Sequence, residues 1–139
     1  HPMNPQFQQA TVRIEQADHP AMQGLPAEWQ RTDEWYSFDK SPRRAGISVL
    51  ATLDETTYKQ QGPFGQELSM GKDHPIVWAR CIGPDGGAQS TGQGRALYTA
   101  MGHTAASFSE PHYRTLLLGA TNWVLRKAGQ GCDVSALKK

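Results

Sequence analysis

One stretch of this chain carries a helical period over several turns. Tyr113, Leu116, Leu117, Ala120, Trp123 and Val124 recur at the spacing of one helix face. Ser109 precedes it as an N-cap with Glu110 and Pro111 in the first turn. Arg126 and Lys127 lie near its end, and Gly129 supplies a stop. This predicts a C-terminal amphipathic helix packed on a sheet. The segments before it read as strands: Ala10 to Glu15, Ile47 to Leu53, His74 to Ile82 and Gly94 to Met101. The run Ile47 to Leu53 is apolar enough at its centre to be buried on both faces. The last two strands are expected to form an antiparallel hairpin around a long loop. Trp29 to Phe38 has no clean period and reads as turn plus short strand. Lys59 to Lys72, with three glycines, three glutamines and Pro63, reads as a surface excursion.

Composition excludes several classes. The 139 residues hold 14 basic and 13 acidic side chains, a net charge of +1, so no basic excess points to nucleic acid. The apolar run Leu116 to Ala120 is far shorter than the ~20 residues of a membrane span. Two cysteines make neither a disulfide framework nor a four-ligand zinc site. Cys81 lies in mid-strand and reads by default as a buried thiol; a bridge to Cys132 requires the tail to fold back. Both cytoplasm and periplasm fit two cysteines.

Four clusters place titratable groups at strand ends or turns: Asp18-His19-Pro20, Asp33-Glu34-Trp35-Tyr36, Asp73-His74-Pro75 and Gly102-His103-Thr104. His103 follows a strand on a glycine hinge that can aim the imidazole into a crevice. On a strand, Asp33 and Trp35 would share one face, and Glu34 and Tyr36 the other. A carboxylate beside an aromatic ring suits sugar binding. Glu34 and Asp54 are candidates for a pair of acids across a cleft. No HxH or HExxH spacing supports a metal site, and no glycine-rich phosphate loop precedes a helix.

Taken in order, Asp33-Glu34-Trp35-Tyr36, Val49 to Asp54, Asp73 to Trp78, Gly94 to Thr99 with Gly102-His103-Thr104, and the closing Leu116-Leu117-Leu118-Gly119 with Trp123 resemble ThuA-like (trehalose-utilisation) domains. The resemblance implies an α/β, flavodoxin-like three-layer sandwich akin to class I glutamine amidotransferases, here with an antiparallel strand pair and a C-terminal helix. It implies a bacterial domain in the catabolism of trehalose or related keto-disaccharides, without the amidotransferase triad and without a cofactor or metal. The implied catalytic residues are His103, His74 and Glu34; Asp33, Trp35, Tyr36 and His19 would bind substrate. Alternatives are a non-catalytic carbohydrate-binding module and a metal-dependent hydrolase. Family domains begin with β-α units ahead of a His-Pro station that His1-Pro2 resembles. Residues 1–129 are therefore expected to be only the C-terminal part of such a domain, with 130–139 a peripheral tail. The missing part or a second copy would then cover an exposed edge.

Overall fold

The computed structural model describes residues 2–44, 46–89, 92, 94–129 and 132. The expectations for His1 and for most of the tail lie outside these residues. Strands β1 (Pro2–Ile14), β2 (Glu28–Tyr36), β3 (Ile47–Asp54), β4 (Pro75–Ile82), the two-residue β5 (Ala88–Gln89) and β6 (Gly94–Thr99) form one sheet. The order is β2-β1-β3-β4. Cys81 pairs with Gln89 of β5 and with Arg95 of β6, so these two strands occupy opposite edges of β4. The helix α1 (Pro111–Val124) follows the last strand.

Every strand pairing among the described residues is antiparallel, and these residues do not confirm the flavodoxin-like sandwich expected from resemblance. Parallel neighbours need long crossovers, usually helical. Between the described strands the chain forms only short 3-10 turns, at Pro20–Met22 and Glu55–Thr57. The hairpin of β4 with β6 forms as expected, Trp78 opposite Tyr98.

β2 is a regular nine-residue strand rather than turn plus short strand. Trp29, Arg31, Asp33 and Trp35 are buried, and Glu28, Gln30 and Thr32 are exposed, a period of two. The inward positions include a cation and an anion, so hydropathy conceals the alternation. In α1, Tyr113, Leu116, Ala120 and Trp123 are buried. The helix begins after Glu110, not Ser109, because residues Ala105–Ser109 form a separate 3-10 turn. Its end falls at Leu125, where Arg126 takes a φ of 60°, ahead of Gly129. Arg95 from β6 caps that end: Nη1 donates to the carbonyls of Trp123 (2.6 Å) and Ala128 (3.0 Å), and Nη2 to Gly129 (3.1 Å). Gly119 lets the helix approach the Pro20–Met22 turn; a Cβ there would lie 2.5 Å from the Ala21 carbonyl oxygen.

Cys81 is not a free thiol. It is bridged to Cys132 with an S–S distance of 2.10 Å, so the chain after the helix does return to β4. Gly92 N–H donates to the Cys132 carbonyl at 3.2 Å beside the bridge.

Candidate functional site

The ends of β2 and β6 are stitched together by one buried carboxylate. Asp33 Oδ1 accepts the backbone N–H groups of Glu34 (2.9 Å) and His103 (3.1 Å). Its Oδ2 accepts Gly102 N–H (2.7 Å) and pairs with Arg31 Nη2 (2.9 Å). Arg31 is itself fixed by Ser107 Oγ at 3.0 Å and lies 4.6 Å over the Tyr113 ring. Gly102 has a φ of +105°, and a Cβ there would collide with the Tyr113 hydroxyl. Only glycine fits this bend, which presents His103 beside Glu34.

Glu34 faces away from Asp33, as adjacent strand residues must. Tyr36 Oη donates to its Oε2 at 2.5 Å, and Gln6 Nε2 donates to its Oε1 at 3.1 Å. His103 Nδ1 pairs with Oε2 as well. Glu34 is buried under these groups, whereas the His103 side chain is 42% exposed. Phe7 packs against the imidazole with ring centroids 5.4 Å apart. The Tyr36 phenol is pushed up to about 12, first by its hydrogen bond to Glu34 and then by burial. It therefore remains a donor at neutral pH. With Nδ1 on a carboxylate, Nε2 of His103 has no hydrogen bond among the described residues. A carboxylate-oriented imidazole with its distal nitrogen open is an arrangement able to accept and return protons.

The other candidates lie elsewhere. His74 is fully buried at the start of β4. Its Nε2 lies 2.9 Å from the Tyr36 carbonyl, and its Nδ1 2.8 Å from Glu55 Oε1 and 2.9 Å from Tyr58 Oη. It thus ties the Glu55–Thr57 turn to the end of β2. Trp35 is in the core, its Nε1 donating to the Gln8 carbonyl at 2.8 Å, and offers no surface wall. Asp54 is engaged by Arg13 at 2.6 Å and by Thr56, not by Glu34. Among the described residues no three His, Cys, Asp or Glu side chains are grouped to hold a metal.

His19 packs under Trp123, ring centroids 4.8 Å apart, with Nδ1 accepting Ala21 N–H at 3.1 Å. Neither of these contacts reaches Glu34. Burial, aided by the charge of Arg95, lowers its pKa from 6.5 to about 4. A depressed histidine pKa means that the fold holds the neutral ring. The resulting stability is complete above about pH 6.5 and is lost as pH falls toward 4. Between pH 7 and about pH 4.5 this costs about 2–3 kcal/mol. Urea unfolding at both pH values should show a smaller acid loss in His19→Asn, whose amide oxygen can still accept Ala21 N–H. Equal losses would place the acid sensitivity elsewhere.

Sequence reasoning missed Gln6, Phe7 and Arg31. The first two stand in the polar start of β1, which lacks a strand-like alternation of apolar residues; Arg31 was hidden by its own charge.

These features define an antiparallel-sheet domain with a surface carboxylate–imidazole pair set on a buried ionic stitch. Residues 1–124 match the ThuA family, described as trehalose utilisation. The chain belongs to that family. The match begins at the first residue and lends no support to the expectation that only the domain's C-terminal part is present. A putative ThuA-like protein from Bacteroides uniformis has a similar structure, with a TM-score of 0.65 and 26% identity over 91% of this chain and 46% of that one. One from Parabacteroides merdae shares the fold, with a TM-score of 0.55 and 21% identity over 94% of this chain and 42% of that one. The chain thus spans less than half the length of either. No curated protein matches it. No helix among the described residues is long and apolar enough to cross a membrane.

Proposed function

We propose that this ThuA-family domain acts on a sugar of the trehalose or keto-disaccharide class, with His103 as general base and acid. The observation that carries this is the Glu34–His103 pair, with Glu34 held from two further sides by Tyr36 and Gln6. Glu34 accepts a hydrogen bond from Nδ1–H, which keeps that proton on the ring and leaves the Nε2 lone pair to accept a proton from a carbon beside a keto group, then return it. Tyr36 keeps the carboxylate in place, Asp33 sets the His103 backbone, and His74 positions Tyr36 through its carbonyl. Phe7 supplies an apolar wall for a sugar face.

Replacing His103 with Ala should lower turnover of a 3-keto-disaccharide at least about a hundredfold, the lower range for a lost acid–base group. The exposed ring makes this change mild for folding. Glu34→Gln should reduce the rate as well. Unchanged turnover in His103→Ala would remove its role. A binding module is the second reading, favoured by the open placement of the His103 side chain, which is 42% exposed. Calorimetry with trehalose, its 3-keto form and glucose separates the two. Binding without turnover selects the module.

A further inference from the structure

The outer face of the β4–β6 hairpin carries a second built feature. Trp78 and Tyr98 are directly opposite across the strands, and their rings stack at a centroid distance of 4.1 Å and an angle of 20°. Phe38 buttresses Trp78 edge-on at 5.7 Å. Two residues along, Arg80 lies opposite Ala96, a pairing that leaves space above the small side chain. Trp78, Arg80, Ala96, Leu97 and Tyr98 line a cleft of about 310 Å³. That is the small end of ligand sites, ~300 Å³ upward, and suits one sugar ring. Tyr98 remains 44% exposed, although large aromatic rings gain most from burial. The Arg80 guanidinium makes no ion pair or hydrogen bond among the described residues. An unengaged guanidinium beside an aromatic surface is suited to a carboxylate or phosphate, which its planar fork binds through two parallel hydrogen bonds.

We propose that Tyr98, Trp78 and Arg80 form a saccharide subsite for a pyranose carrying an anionic group, its ring on Tyr98 and its carboxylate or phosphate on Arg80. The subsite deepens the carbohydrate reading and shares with it only the class of ligand; it needs no turnover at His103.

Calorimetry of the full chain with a methyl glucuronide, glucose 6-phosphate, methyl glucoside and inorganic phosphate tests it. At least one anionic sugar should bind about tenfold or more tightly than the neutral glycoside and than phosphate alone; the better of the two identifies the anion. Arg80→Gln should erase that preference. Tyr98→Ala should weaken binding about tenfold, whereas Tyr98→Phe, which keeps the ring, should retain it. His103→Ala should bind as the parent does, so a failed catalytic role leaves the subsite standing. Equal affinity for neutral and anionic sugars would overturn the proposal. So would phosphate binding as tightly as the sugars, or affinities indifferent to both Arg80→Gln and Tyr98→Ala. Self-association abolished by Tyr98→Ala without saccharide binding would also overturn it, in favour of a protein interface.

Discussion

Asp33→Asn should remove about 3–5 kcal/mol of stability, the usual cost of breaking a buried ion pair from one side. The carboxylate accepts three backbone N–H groups and faces Arg31, whose side chain is as buried as its own. An amide of the same shape must turn its NH₂ toward at least one of these donors. Two donors then face each other, and a buried guanidinium loses its strongest counter-charge. Glu110 Oε2, 3.3 Å from Arg31 Nε, remains as partial compensation. Against the ~5–15 kcal/mol that holds a typical domain, the loss is a large fraction. Urea unfolding at neutral pH measures it. Because Gly102 N–H sits on one oxygen and His103 N–H on the other, either orientation of the amide breaks one of these two contacts, and the variant should also lose the alignment of His103 with Glu34 at temperatures where the sheet persists. A cost below about 1 kcal/mol would mean that the stitch is dispensable.

Loss of the Cys81–Cys132 bridge should cost about 4 kcal/mol. The two cysteines are 51 positions apart, and closing a loop of that length restricts the unfolded chain by this amount in the chain-entropy account. Cys81 sits fully buried in β4, so the bridge pins Cys132 to that strand. Thermal unfolding with and without reductant should show a midpoint lower by about 10–15 °C in the reduced protein. A Cys81→Ala, Cys132→Ala double variant should melt at the lower temperature regardless of reductant. Equal midpoints in the reduced and oxidised parent would contradict the expectation.

Part of this architecture was legible from the residues alone. β3 has an apolar run because both of its faces are covered, and α1 shows its period because only one of its faces is. β2 was obscured because its inward face holds Arg31 and Asp33, which satisfy each other within the core. Strand alternation separated Glu34 and Tyr36 from Asp33 and Trp35, yet it could not say which pair faced inward. That depends on where α1 packs, which is decided some 80 residues later. The partners of His74 and of Cys81 are likewise set by long-range folding. The flavodoxin-like sandwich came from resemblance, and the antiparallel sheet of the described residues does not confirm it.

Phe64 stands at the tip of the excursion after β3 and is 94% exposed. A chymotrypsin-type cut there would put Glu34 on one piece and His103 on the other, with the disulfide wholly inside the second. The β3–β4 ladder, the contacts of His74 and the two acceptor contacts of Asp33 to Gly102 and His103 would still run between the pieces. The nicked molecule should stay together without a covalent link. Separated and remixed, its halves should regain the site only on reassociation, making this fold a natural two-piece complementation system.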